Sequence, residues 1–292
     1  MTEMGVDIGA AQFFVLPLAI LMCRDSAGRI SAICGSAPIV AAERQSALVL
    51  RESYGVCLGI VPWNAPYVFG IRSAATAIAT GNTTVLESSE LTPRCYWAIG
   101  KAFEEAGLPA GVLNIINCRP KDAPQIANVM IEHPAVRKIN FAGSAATGRK
   151  IAKTCGENLK PCLMELRGKN AAIVCEDADL EKTARECILA SAAPQDPPNV
   201  VSSASKQRLA ALVSNAVSHG TSLISRPPTQ PSTLGASFIP TILGHPSPQF
   251  QIYATDAFGS LVSVSSFTTK DEAMKIVTET ECGLHAAVFT RI

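Results

Sequence analysis

Three short stretches carry residues whose types and spacing could do chemistry. In MELRGKN, 164–170, Glu165 stands in a strand-like apolar run that ends in a turn at Arg167 and Gly168. A carboxylate at such a sheet edge can have a raised pKa and accept protons near neutrality as a general base. An ion pair or a helix-capping carboxylate explains the residue equally well. In VPWNAP, 61–66, Asn64 lies just past the carboxyl end of a strand, where open α/β sheets place their sites. Its amide can donate a hydrogen bond to a developing oxyanion. The plainer alternative is a rigid Pro-flanked turn in which Asn64 caps the backbone. In FAGSAATG, 141–148, Gly143 permits a tight turn and Ser144 can cap the following helix. The N–H groups of that helix start would face a phosphate or carboxylate. Gly148 would permit close packing. The stretch is not a GxGxxG fingerprint, and an ordinary loop-to-helix junction fits it almost as well.

The elements that must position these residues alternate. Residues 53–61, 83–88, 111–116 and 136–141 are strand-like, and residues 67–80, 93–106, 122–131 and 144–155 are helical. Thr92 reads as an N-cap with Pro93 at the first helical position, and Gly107 and Pro109 end that helix. The strands have apolar centres with few alternating charges, which suits a parallel sheet covered on both faces. The expected fold class is α/β, with a Rossmann-like doubly wound sheet. Past Glu165 the pattern loosens. AAIVC, 171–175, is a strand, and Asp179 caps a helix from Leu180 toward Ala193. Residues 194–205 read as a Pro/Ser-rich loop, 206–219 as a helix and 225–236 as an exposed segment. Strand-like 238–243, 261–267 and 284–290 follow, with a short helix near 270–278.

The chain has 292 residues, 48% hydrophobic and 17% charged, enough to bury a substantial core. A formal net charge of +1 without a Lys/Arg block argues against nucleic acid as a partner. Ten cysteines occur without a CxxC, and the four histidines show no ligand spacing. This implies no metal and a reducing, cytoplasmic setting. AAQFFVLPLAILMC, 10–23, is too short for a routine membrane span and contains Pro17. It reads as a buried helix or strand, the alternative being a membrane-associated or badly folded terminus.

In combination, several stretches resemble the aldehyde dehydrogenase superfamily. They are GVCLGIVPWNAP (55–66), ATGNTTVLESSELTP (79–93), GLPAGVLNII (107–116), INFAGSAATGRKI (139–151), MELRGKNAAIVCEDADL (164–180), IYATDAFGS (252–260) and ECGLHAAVF (281–289). The flavour is nearest to fungal or bacterial dehydrogenases of aromatic aldehydes. The resemblance implies oxidation of an aldehyde to an acid with NAD or NADP, through a cysteine thiohemiacetal and a glutamate-activated water. It implies Glu165 as general base and Asn64 in the oxyanion hole. Trp63, Gly143 and Ser144 would lie near the cofactor, and Asp256 and Phe258 at its nicotinamide end. It divides the chain into an incomplete nucleotide-binding domain, 1–165, and an incomplete part of a catalytic-type α/β domain, 166–292.

The same comparison brings out departures. The family's G-Q-x-C nucleophile segment is replaced by DPPNVVSSAS, 196–205, without a cysteine. Cys187 and Cys162 are the nearest thiols, and neither has the loop context. The lysine that holds the adenosine ribose is Glu87, an anion where a phosphate-bearing ligand favours a cation. One of two usual glycines is Arg167. The usual glutamate is Asp256, and a usual proline is Ser260. Both ends look clipped. The expectation is an aldehyde-dehydrogenase-like protein without normal catalysis, its NAD or NADP binding weakened by Glu87. Exposed apolar edges would favour association with itself or with other dehydrogenase subunits. The alternative is an active NAD(P)-dependent oxidoreductase converting an aldehyde to a carboxylic acid in a specialised pathway.

Overall fold

The computed structural model describes residues 3–4, 8–191, 200–225, 236–247, 249–280 and 283–291. It forms two compact units, Gly9–Leu166 and Arg167–Ile292 with Met1–Ile8.

The unit Gly9–Leu166 is built on a parallel sheet. Its strands are β1 (Val56–Val61), β2 (Thr83–Ser88), β3 (Leu113–Asn117), β4 (Val136–Gly143) and β5 (Cys162–Leu166), in the order β3-β2-β1-β4-β5. In VCLGIV of β1, Cys57, Leu58, Gly59 and Val61 are all buried, so neither face of the strand is left to water. That double burial is what a central parallel strand requires.

Between the strands run α3 (Pro66–Ala79), α4 (Pro93–Glu105), α5 (Ala123–Glu132) and α6 (Ala145–Glu157). One core gathers Leu58, Ile131, Ile139, Phe141, Ile151 and Cys155 from β1, β4, α5 and α6. A second joins Val61 to Tyr96 and Ile99 of α4, with Tyr67, Phe69 and Ile71 of α3 against it. The expected doubly wound α/β fold is therefore present. The strand order reverses between β1 and β4, and ligands of such sheets bind outside the carboxyl ends at that point.

Ahead of the sheet come α1 (Ile8–Ala10), a π turn (Ala11–Val15) and α2 (Leu16–Gly28). The expectation of a buried segment over 10–23 needs correction. Val15 and Ala19 are buried, but Phe13 is 83% and Phe14 66% exposed. The segment is apolar all round, and a single helix can cover only one stripe of itself against a neighbour. No helix among the described residues is long and apolar enough to cross a membrane.

Local capping follows the sequence in part. Ser144 accepts from the Thr147 N–H, and Asp179 from the Lys182 N–H. Thr92 occupies the N-cap position of α4, but its buried hydroxyl has no hydrogen-bond partner among the described residues. Gly107, just past α4, takes φ +85°, which only glycine adopts freely.

In the unit Arg167–Ile292, β6 (Ala171–Val174) pairs in parallel with β10 (Ala286–Phe289). α7 (Leu180–Ser191) follows β6, and α8 (Ser203–Ser218) begins earlier than the expected loop allows. Ser202 accepts from the Ser205 N–H and so starts the helix inside the serine run. Residues 194–199 of the expected loop and nearly all of 225–236 lie outside the described residues. β7 (Ser222–Ser225) was not expected. It runs antiparallel to β8 (Thr241–Gly244), which pairs in parallel with β9 (Leu261–Val264). With α9 (Gln251–Ala254) and α10 (Lys270–Thr278), these elements surround a core of Leu209, Leu212, Leu243, Ile252 and Leu261.

Candidate active site

The five parallel strands bring most of the candidate residues of the unit Gly9–Leu166 to one edge. Val61 lies opposite Ser88, and Ile60 opposite Phe141. Ala142 lies opposite Glu165, and Gly143 opposite Leu166. Trp63 and Asn64 lie just past β1, Glu87 is the penultimate residue of β2, Gly143 ends β4 with Ser144 next, and Glu165 is the penultimate residue of β5. These are the carboxyl ends of the strands, on both sides of the β1/β4 reversal.

Glu165 is held by a partner that sequence reasoning did not name. Its Oε2 accepts a hydrogen bond from Arg72 Nη2, and the two side chains are 33% and 39% exposed. Of the two plainer alternatives for Glu165, an ion pair or a helix cap, the contact is the ion pair. Arg72 also packs on Phe69, its Cζ 4.9 Å from the ring centroid. A signal was there to be read: Arg72 is the one charged residue in PYVFGIRSAATAIA, the sequence of α3.

Asn64 sits in the turn between β1 and α3. The N-cap position of α3 is Ala65, with no side-chain cap, so Asn64 does not cap the backbone as the plain alternative supposed. Its amide makes no hydrogen bond among the described residues, and its side chain is half-buried. The turn is fixed from below, because the buried Tyr96 donates its hydroxyl to Pro62 O at 2.7 Å.

Gly143 does not adopt positive φ, so backbone freedom is not why it is glycine. A Cβ there would lie 2.7 Å from Phe141 Cζ, and one on Gly148 would lie 2.5 Å from Leu166 Cδ2. At Gly148 the reason is the close approach of α6 to β5, and at Gly143 it is the Phe141 ring, two residues back on β4, which lies where a Cβ would go. Ser144 Oγ serves Thr147 and Gly148 N–H reaches Ser144 O. The N–H groups of Ala145 and Ala146 remain without an intrahelical acceptor, at the positive end of a 13-residue helix.

Glu87 is 8% exposed. Cys118, just past β3, donates its thiol to Glu87 Oε1 at 3.2 Å. Burial pushes the Glu87 carboxyl above its usual range; the Cys118 hydrogen bond pulls it back in part, and Glu90 pushes it up again. Burial and the Glu87 contact push the Cys118 thiol up to about 11. This chemistry suits a dinucleotide in one respect and not in another. Free N–H groups at a helix start fit a diphosphate, and a carboxylate at the end of β2 fits ribose hydroxyls. It does not fit a ribose 2′-phosphate.

Asp256 and Phe258 belong to the unit Arg167–Ile292. Asp256 Oδ1 accepts the Phe258 N–H at 2.8 Å, and Phe258 takes φ +48°. Arg167 stacks over the Phe258 ring, its Cζ 4.5 Å from the centroid. Lys169, also unremarked in the sequence, donates to Ile252 O, and burial pushes its amine down to about 8.

The described thiols lie in several separate places. Cys57, Cys95 and Cys155 are buried, behaving as small hydrophobes. Cys162 is exposed at the first residue of β5, three residues before Glu165 and hence roughly 10 Å along the strand on the opposite face. Cys187 is half-buried on α7. Among the described residues no group of side chains could hold a metal ion.

Known proteins resemble this chain over most of its length. The profile described as Aldehyde dehydrogenase family matches residues 1–195 and 196–292. The chain is 32% identical to a vanillin dehydrogenase of a Pseudomonas species, over 95% of this chain and 65% of that protein. It thus spans about two thirds of the length of that relative. A solved salicylaldehyde dehydrogenase from Pseudomonas putida G7, in complex with salicylaldehyde, superposes with a TM-score of 0.91. That match is at 28% identity and covers 99% of this chain and 67% of the other. PnpE in complex with nicotinamide adenine dinucleotide gives a TM-score of 0.90 at 26% identity, over 99% and 68% of the two chains.

Proposed function

The chain belongs to the aldehyde dehydrogenase family, and on that premise we propose that it is an NAD(P)-dependent oxidoreductase converting an aromatic aldehyde to a carboxylic acid. The vanillin and salicylaldehyde dehydrogenases among its relatives support this substrate class. The observation that carries the reading is the presence of Glu165 and Asn64 on one carboxyl edge of the sheet, with the Glu165 carboxylate oriented by Arg72.

In this reading Glu165 is the general base. Arg72 engages Oε2, which leaves Oε1 to take a proton from water. The water oxygen bonds to the carbonyl carbon, and the carbonyl electron pair moves to oxygen. Asn64 donates to that oxygen as it gains charge. The product of the step is the singly deprotonated aldehyde hydrate, whose carbon then gives up a hydride as its C–O⁻ closes to the carbonyl of the acid. When bound, the dinucleotide supplies the hydride acceptor, with Ala145 and Ala146 N–H toward its diphosphate, Ser144 and Gly143 shaping the approach and Trp63 beside it. This hydrate route needs a base and an oxyanion donor but no thiol, and the chain has no cysteine between Cys187 and Cys282.

In place of the general weakening expected from the sequence, we assign NAD rather than NADP, because a carboxylate at Glu87 suits ribose hydroxyls and repels a 2′-phosphate. Titration of the protein with each dinucleotide tests this: NAD binds more tightly, and Glu87→Lys narrows or reverses the preference. Equal binding of both by the unaltered protein contradicts it. A cytoplasmic setting in a specialised pathway belongs to the same proposal, supported by nine free cysteines among the described residues. So does association with itself or a related subunit, supported by the exposed Phe13 and Phe14.

A second reading, a dehydrogenase-like protein without turnover, is favoured by one observation: no G-Q-x-C segment occurs in the chain. A panel of aromatic and aliphatic aldehydes, with NAD and NADP and with folding verified by circular dichroism, separates the two. Aldehyde-dependent reduction of the dinucleotide supports the first reading. A folded protein that binds NAD and turns nothing over supports the second.

A further inference from the structure

We propose that Arg167 and Arg208 form a binding site for an organic carboxylate within the unit Arg167–Ile292. Both guanidinium groups converge on the same short loop. Arg167 lies over one face of the Phe258 ring, 4.5 Å from its centroid. Arg208, on α8, donates through Nη2 to Ala257 O and, at 3.4 Å, to Phe258 O.

The site is built rather than incidental. A Cβ on Gly259 would lie 2.5 Å from Leu209 Cδ1, so the loop sits directly on α8, one residue along from Arg208. Leu209 is fully buried in the core of this unit. Asp256 Oδ1 locks Phe258 in its positive-φ conformation through the 2.8 Å bond to its N–H. Gly168 packs so tightly on Leu284 that a Cβ would come within 2.3 Å of Leu284 Cβ, which fixes the backbone beside Arg167.

The charges there do not balance. Neither arginine makes an ion pair among the described residues. Burial lowers the proton affinity of Arg208, the neighbouring Arg167 lowers it further, and Asp256 opposes both. Lys169 adds a third cation near Asp256. Asp256 is the one carboxylate acting on Arg208, and one of its oxygens already serves the Phe258 N–H. Glu279, near Lys169 through Tyr253, is engaged by the Tyr253 hydroxyl at 2.8 Å.

Half-buried like charges repel unless an anion joins them. A planar guanidinium fork matches a carboxylate in two parallel hydrogen bonds, and no described residue takes the donors of Arg167. The Phe258 ring gives the site an apolar flank, so the ligand class is a carboxylate on an aromatic or other apolar body. This inference stands apart from the catalytic reading: it needs neither Glu165 nor a dinucleotide.

Isothermal titration of the full chain with benzoate, benzamide and inorganic phosphate tests it. Benzoate binds, benzamide binds roughly tenfold more weakly or not at all, and added salt weakens the benzoate signal. Arg167→Gly lowers benzoate affinity by roughly tenfold, and Arg167→Lys by less, because charge remains and the fork is lost. Circular dichroism verifies the fold of each variant, and Arg208→Gln provides an independent test should Arg167→Gly fail to fold. Absence of benzoate binding, equal affinity for benzamide, tighter binding of phosphate, or an unaffected Arg167→Gly each overturns the assignment.

Discussion

Arg72 and Glu165 stand 93 residues apart in the chain and meet in an ion pair between α3 and the last strand of the parallel sheet. α3 starts directly after the Asn64 turn, so one helix both follows the proposed oxyanion donor and orients the proposed base. Both side chains are about a third exposed. The pair is therefore worth no more than about 1 kcal/mol of stability, after screening by solvent. Its value is geometric. Arg72→Met should leave thermal unfolding nearly unchanged and lower turnover roughly tenfold through loss of carboxylate orientation. Arg72→Lys should restore part of it. A fully active Arg72→Met would show that Glu165 needs no partner.

Glu87 gives a pH signature. Burial raises its carboxyl above the ordinary value of 4.5, so the folded protein holds this proton more tightly than the unfolded chain does. The associated stability is fully present below the unfolded value. It is lost as pH rises through the folded one. Glu87→Gln should therefore raise the melting temperature at neutral pH. The gain over the unaltered protein should shrink as pH falls toward 4.5. A gain independent of pH would mean that the carboxyl does not titrate as its burial dictates.

Much of the sheet was legible because its signals are local. TTVLES, 83–88, is β2 residue for residue, and KDEAMKIVT lies within one continuous helix capped by Thr269. β7 was not legible: SLIS is four residues long, and its pairing with β8 comes from a distant segment. The start of α8 was hidden because serine serves loops and helix caps alike. At the site, Glu165, Asn64 and Ser144 announced themselves through their position at strand ends. Arg72 and Cys118 did not, since each acquires meaning only from a partner brought close by folding. Arg208 likewise reads as an ordinary helix residue until the 256–260 loop lies against it.

Lys169 should titrate far below an ordinary lysine. Burial pushes its amine down to about 8, against a weaker opposing effect of Asp256. Reductive ¹³C-methylation followed by NMR titration should show one dimethyl-lysine signal with a midpoint near 8, lost in Lys169→Met. The sign for stability follows. The unfolded chain binds this proton more tightly, so the contribution of Lys169 to stability rises as pH climbs from about 8 toward 10.5. A midpoint at the ordinary 10.5 would contradict the buried placement.

Two glycines should respond in opposite directions. A Cβ on Gly168 meets Leu284 Cβ at 2.3 Å and Leu284 N at 2.8 Å, so backbone must move. Gly168→Ala should cost about 1–3 kcal/mol in chemical denaturation. Gly156, in the last turn of α6, has nothing within 4 Å of an added Cβ. Gly156→Ala should stabilise by about 0.5–1 kcal/mol through better helix propensity. Similar effects from both would contradict the close Gly168–Leu284 contact.

The central claim is that Glu165 serves as the base of an aldehyde oxidation in this chain. The most direct test compares NAD-dependent turnover of an aromatic aldehyde by the folded protein and by Glu165→Gln, an isosteric change that removes the base. The account predicts measurable acid formation by the unaltered protein and its loss in Glu165→Gln, with NAD binding retained. A folded, NAD-binding protein that forms no acid, or a Glu165→Gln variant as active as its parent, would contradict it.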